Sequence, residues 1–455
     1  MRFSGHQFVA NHIWLGYFTF LILVCPPFAG LAHAEAPGAI VLGSSAGLHE
    51  RLAASELASY LGRMYRGQRF DVRTADQDIL SEIHGASHVI LMGTPETFPA
   101  LATRLGPAEL DRPGGFVVRI DAADSNLALI AGADGRAVLH GVYGLLERLG
   151  CGFYLSYEVV PTLDGPFDYN GWDLADAPLT GDRIVFDWHN FVSGCSGWNL
   201  EDWRQWVRHS ARMRFTDVMV HAYNNNPMVT FVHNGVERPV GYLATSAKGR
   251  DWSTTHLNDV RRIPGAEGLY DGPVFGSDAA LVPDGQRVAA AKDLIGKVSE
   301  EAVGMGLRVD FAIDVDTGDD PAMLGTLPES AKFTVEGSQT LVNPDTPEGY
   351  AYYRDRVLQL METYPQIGRV VVWSRWMQST PWTRLKPEDF PGNAWREAFR
   401  RALDEADMRD VELAIGTWEF DHLRAADAFM PEGVMLMALD YSRIFDTDKA
   451  REILA

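Results

Sequence analysis

The sequence predicts an α/β protein in two parts: a small α/β domain, then a (β/α)8-type (TIM) barrel in which six strands are found. Three observations predict it. First, apolar runs suited to strands alternate with amphipathic helical patterns along most of the chain. Second, residues 183–228 read as one parallel βαβ unit. The run IVF leads to Asp187, His189 and Asn190, and a Gly/Ser-rich turn follows. Trp203, Trp206, Val207, Ser210, Ala211 and Met213 then recur at helical spacing, and the run VMV leads to His221, Tyr223 and three asparagines. Polar groups massed just past both strand ends fit a (β/α)8 barrel, which builds its active site at the C-terminal ends of its strands. Third, residues 159–182 are rich in Pro, Gly and Asp, as a linker between two such parts is expected to be.

At 455 residues the chain has ample material for a buried core and suggests two or three domains. A formal net charge of -21 argues against nucleic acid, which favours a basic patch. The first residues resemble a secretory signal: Arg2, an apolar run at 14–24, and Ala32-His33-Ala34 as a small-x-small cleavage pattern. Cleavage is expected after Ala34, leaving no stable membrane span and a secreted or periplasmic protein. The apolar run is short for an anchor, and Pro26 and Pro27 follow it. The mature chain keeps Cys151 and Cys195, either as a disulfide or as two buried thiols.

In the first part, 35–158, strands are expected at 39–42, 70–73, 89–92, 116–120 and 127–131. Helices are expected at 49–66, with Leu52, Leu57, Tyr60, Leu61 and Met64 as its stripe, and at 135–149, with Gly150 at its C-terminal cap. The expected arrangement is helices on one face of a sheet whose other face is mostly exposed. The phrases AASELASYLGRM and IAGADGRAVLHGVYGLLERLGCGFY resemble the domain that precedes the barrel in alpha-glucuronidases and beta-hexosaminidases. The resemblance covers most of residues 39–154 and rests on Gly132, Arg136, Gly141, Tyr143, Leu146, Leu149 and Gly150. It implies a glycoside hydrolase whose first domain supports the barrel rather than doing chemistry. The glycines of GADGRAVLHG fit neither a Walker loop nor GxGxxG, and read as turn glycines beside a helix start.

In the second part, 183–455, strands are expected at 183–188, 217–221, 307–313, 369–373, 411–416 and 434–439. An insertion runs from 224 to about 283, and helices fall at 286–303, 349–364, 394–406 and 447–454. Asp345 or Thr346 suits the N-cap of the second of these, with Pro347 in its first turn. Six strands rather than eight leave two readings: the barrel is incomplete in this chain, or two strands are disguised in loops.

The strand ends supply the candidate chemistry. Glu419 and Asp440 follow adjacent strands, and Asp314 follows a third; glycoside hydrolysis needs two carboxyl groups across one bond. The expectation is Glu419 as general acid with Asp440 or Asp314 as its partner. His189, Asn190, His221, Asn224, Asn225, Trp373, Arg375 and Trp418 are the expected substrate-binding residues. Sugars offer hydroxyl edges to polar groups and CH faces to tryptophans, and a guanidinium such as that of Arg375 suits a uronate. The predicted partner is therefore a carbohydrate, with no cofactor. Two rival readings remain. One is a non-catalytic glycan-binding protein. The other is a metal-dependent hydrolase using His189, His221, Asp314 and Asp440, although His-x-His at the first strand and HExxH are both lacking. No GxSxG elbow occurs.

Overall fold

The computed structural model describes residues 37–75, 83–106, 110–186, 198–222, 228–240, 284–315, 321–334, 340–374, 392–417 and 430–438. They belong to one compact unit spanning Pro37–Ala455. Among the described residues it contains two six-stranded sheets.

The first sheet is built from β1 (Gly38–Gly43), β2 (Phe70–Ala75), β3 (Val89–Gly93), β4 (Phe116–Ile120), β5 (Leu127–Gly132) and β8 (Asp173–Asp176), in the order β2-β1-β3-β5-β4-β8. β1, β2, β3 and β5 are parallel, whereas β4 and β8 are antiparallel additions. Helices α1 (Leu48–Met64) and α2 (Gly135–Arg148) cover one face, burying Leu57, Tyr60, Leu61, Val142 and Leu146. The other face is also buried, beneath Phe98 and Leu101. This corrects the expected exposed face. The runs AIVL, VILM and LALIA are apolar at every position, the pattern of parallel strands covered on both sides. Gly150, at φ 102°, ends α2 as expected.

The stretch expected to be a linker is part of this lobe. Its residues Phe167, Tyr169 and Trp172 are buried in the core beneath α1 and α2, and β8 extends the sheet. Pro and Gly there mark turns in a packed segment. A hairpin of β6 (Gly152–Tyr154) and β7 (Tyr157–Val159) precedes it. Cys151 is a free, buried thiol against Met64 Sδ at 3.8 Å, and burial pushes it up to about 11. Cys195 lies outside the described residues.

The second sheet has six parallel strands whose spatial order follows the chain: β9 (Ile184–Phe186), β10 (Asp217–Ala222), β13 (Arg308–Asp314), β16 (Ile367–Ser374), β17 (Glu412–Thr417) and β18 (Met435–Ala438). Helices α3 (Leu200–Arg212), α4 (Asp284–Gly304), α5 (Pro347–Thr363) and α6 (Gly392–Glu405) connect successive strands. A curled parallel sheet wound one strand at a time, with helices outside, is the (β/α) barrel architecture the sequence predicts. All six expected strands are present. The described part of the insertion carries hairpin β11 (Val229–His233) and β12 (Val236–Val240), and a second hairpin, β14 (Lys332–Thr334) with β15 (Thr340–Val342), precedes α5. α5 is capped by Thr346, whose hydroxyl accepts from Gly349 N at 3.1 Å, with Pro347 in the first turn. α3 is capped by Asn199 in a reciprocal box with Asp202.

Alternate residues of these strands face inward. Val218, Val220, Val309, Phe311, Ile313, Val370 and Val372 pack outward against the helices, while Met219, Ala312, Val371, Trp373 and Ala414 form a separate inner cluster. Below that cluster, at the N-terminal ends of the strands, the inner face is charged. Arg369, 1% exposed, pairs with Asp310 at 2.9 Å, Glu412 at 2.8 Å and Asp182 at 2.9 Å. Arg308 pairs with Asp217, with Glu412 at 2.7 Å and with Asp182 at 2.9 Å. The two arginines thus close a floor of four carboxylates. Burial and the neighbouring Asp217 raise Asp310 to about 7.

The lobes meet along a seam rich in ion pairs. Arg212 at the end of α3 bridges Glu56 at 3.1 Å and Glu158 at 3.3 Å, Arg214 pairs with Glu147 at 2.7 Å, and His49 Nε2 lies 2.9 Å from Gly306 O.

Candidate functional site

At the C-terminal ends of the strands, the inner face of the barrel changes from charge to a mixed polar and aromatic set. His221 on β10 and Asp314 on β13 meet through Nε2 and Oδ1 at 2.9 Å, both side chains fully enclosed. A carboxylate only accepts, so the Nε2 proton donates, which fixes the tautomer and the tilt of the imidazole. Asp314 Oδ2 is buried and has no hydrogen-bond partner among the described residues. The ring of Trp373, on β16 beside Asp314, stands 5.1 Å from that of His221, and Phe186 on β9 stands 5.9 Å away on the other side. Four neighbouring strands therefore deliver one aromatic, one imidazole, one carboxylate and a second aromatic to a single layer.

Two residues that the sequence analysis passed over hold this layer. Gly416 on β17 is opposite Trp373, and a Cβ there would stand 2.0 Å from Trp373 Cε3. The missing side chain is the space in which the indole lies. Arg356 of α5, 4% exposed, donates to the backbone carbonyl of Asp314 and lies over the Phe231 ring at 5.7 Å. Both left a signal: a glycine within an apolar strand run, and one cation within the buried stripe Tyr352, Tyr353, Val357 and Leu360.

The structure thus brings together His221, Asp314 and Trp373 of the expected site residues. Glu419, Asp440, His189, Asn190, Asn224, Asn225, Arg375 and Trp418 lie outside the described residues. In the chain, Glu419 comes two positions after the last residue of β17, and Asp440 two after that of β18. Asp314 is walled in rather than facing solvent. Its geometry suits holding His221 more than meeting a substrate atom. Among the described residues no three His, Cys, Asp or Glu side chains are grouped as metal ligands, and no helix is long and apolar enough to cross a membrane.

No family model matches this sequence, and no curated protein matches it. Solved structures similar to it are glycoside hydrolases. A GH20 beta-N-acetylhexosaminidase from Streptomyces coelicolor A3(2) is 14% identical over 92% of this chain and 68% of its own, with a TM-score of 0.44. A GH115 4-O-methyl-alpha-glucuronidase with specificity for decorated arabinogalactans is 14% identical, over 88% of this chain and 44% of its own, with a TM-score of 0.48. A GH138 enzyme targeting pectin rhamnogalacturonan II is 10% identical, over 88% and 38%, with a TM-score of 0.45. The chain therefore spans well under two thirds of the length of the last two.

Proposed function

We propose that the protein is a glycoside hydrolase acting on an oligo- or polysaccharide that contains uronic acid. The observation that carries the reading is the layer of Phe186, His221, Asp314 and Trp373 at the C-terminal ends of adjacent barrel strands. His221, Asp314 and Trp373 are enclosed, so the layer supports the strand-end rim, where a barrel places its active site, rather than touching the sugar itself.

In this reading Glu419 protonates the leaving oxygen and Asp440 serves as the second carboxyl group, as base or nucleophile. Asp314 is a positioning residue that keeps Nε2 of His221 protonated and Nδ1 turned from it. Arg375 takes the uronate carboxylate in a two-pronged grip, which gives the preference for an alpha-glucuronide-type substrate. The protein acts outside the cytoplasm, after loss of residues 1–34.

The test is hydrolysis of a panel of aryl glycosides and aryl uronides by the mature chain. Uronide turnover is expected, lost in Glu419→Gln with binding retained. Asp314→Asn is expected to lower kcat by about 10- to 100-fold with KM little changed, as loss of an orienting partner does. Arg375→Gln is expected to erase the preference for uronides over neutral glycosides. Glycan binding without turnover on any substrate would sink the enzyme reading in favour of a binding protein.

A further inference from the structure

At the opposite end of the barrel from the candidate site, the seam between the lobes holds a half-open cavity of about 470 Å³. Its walls come from the segment before β4, the first turns of α2, and residues 178–183 and 216 at the strand starts. Three guanidinium groups line it: Arg112, Arg136 and Arg183. None of the three has a carboxylate partner within ion-pair distance among the described residues, in a chain whose net charge is -21.

The two acidic residues of the lining are already engaged. Asp134 caps α2 by accepting from Ala137 N at 2.8 Å, and Asp182 is held by Arg308 and Arg369. Arg183 makes only neutral contacts: Nε to Arg214 O at 2.8 Å, Nη1 to Thr180 O at 2.8 Å and Gly181 O at 3.3 Å, and Nη2 to His140 Nδ1 at 3.2 Å. His140 is buried, and burial together with Arg183 and Arg136 pushes it down to about 3, so it adds an acceptor and no charge. Burial and the neighbouring Arg136 and Arg214 also depress the Arg183 guanidinium, so this charge is held at a cost. Arg136 Nε is buried without a hydrogen-bond partner among the described residues. Three cations without an ion-pair partner among the described residues, Arg136 and Arg183 part-buried and Arg112 exposed, favour an anion in the space between them. Three guanidinium forks favour a dianion with several oxygens over a monovalent ion.

We propose that this cavity binds a tetrahedral oxyanion, either free phosphate or sulfate or the corresponding ester on a sugar. The inference is independent of the glycosidase reading, since no residue is shared between the two sites. Binding would clamp the first lobe to the N-terminal face of the barrel, because Arg112 and Arg136 belong to one and Arg183 to the other.

The experiment is thermal unfolding of the full mature chain at constant ionic strength, with chloride, inorganic phosphate, inorganic sulfate or glucose 6-phosphate as the varied anion. A saturable rise in Tm of about 4 °C over chloride is expected at about 100 times the Kd. Glucose 6-phosphate outdoing inorganic phosphate assigns the ester; the reverse assigns the free ion. In Arg112→Gln, an exposed change that leaves the seam packing in place, the rise should fall by at least half, and Arg112→Gln/Arg136→Gln should abolish it. No rise over chloride, or an undiminished rise in both variants, overturns the proposal.

Discussion

Asp310 and Asp314 stand on the same face of the same strand with fully enclosed side chains, yet the two ends of the barrel interior treat them differently. Asp310 sits in a floor where Arg308 and Arg369 meet four carboxylates. Asp314 has a single imidazole and two aromatic neighbours nearby; each aspartate has one oxygen without a hydrogen bond among the described residues, but that of Asp310 lies 3.3 Å from Arg308 Nε. The floor is an ion-pair network within the protein, with two arginines shared among four carboxylates. The upper layer is built to hold one imidazole in one orientation. Burial alone therefore does not describe a carboxylate's setting; the number and kind of its partners does.

The comparison can be broken from either end. The largest effect is expected from Arg369→Met, which leaves Asp310 and its neighbours without their central cation. It should lower unfolding stability by about 3–5 kcal/mol in a urea titration. Asp314→Asn should cost clearly less, about 1–3 kcal/mol, since it disturbs one side-chain hydrogen bond. Equal losses from the two would erase the distinction. Gly416→Ala drives a methyl group into the Trp373 ring and should cost about 1–3 kcal/mol, with a change in near-ultraviolet circular dichroism as the indole is displaced.

A pH titration sharpens the contrast. The raised Asp310 carboxyl keeps its proton in the folded state up to about 7, whereas an unfolded aspartate releases it near 4. Between those values the folded chain binds more protons than the unfolded one. This group's contribution is therefore greatest below about pH 4, declines as pH rises to about 7, and is flat above. Asp310→Asn should remove that slope, so that the variant gains on the parent between pH 4 and 7; parallel stability curves would refute the assignment. The smallest effect, a reference that touches neither layer, is Asn199→Ala. It removes the α3 N-cap and should cost about 1 kcal/mol by the same titration.

Much of this was legible before the fold was seen, for a physical reason. The barrel strands IVF, VMV and VVV are continuous apolar runs, and parallel strands buried on both faces leave that trace. His221, Asp314 and Trp373 were found because they end such runs. The floor was missed although its residues sit on the same strands. Asp217, Arg308, Asp310, Arg369 and Glu412 look like surface charges at strand starts, and only their shared parity with Met219, Ala312, Val371 and Ala414 places them inside. Strand β8 was missed because Asp-Leu-Ala-Asp has no strand signature of its own. It is extended because it pairs with β4, a tertiary effect that composition does not carry.

The floor also acts as a check on assembly. In register, Arg369 on β16 stands opposite Asp310. Sliding β16 by two residues would set it against Ala312 in one direction and Arg308 in the other, stranding a cation in apolar surroundings or beside another cation. A slide of one residue would turn it outward into the packed helices. Apolar neighbours such as Val370, Val371 and Val372 tolerate any of these shifts nearly equally. The ion pairs do not, so they proofread the alignment of strands whose own side chains are almost interchangeable.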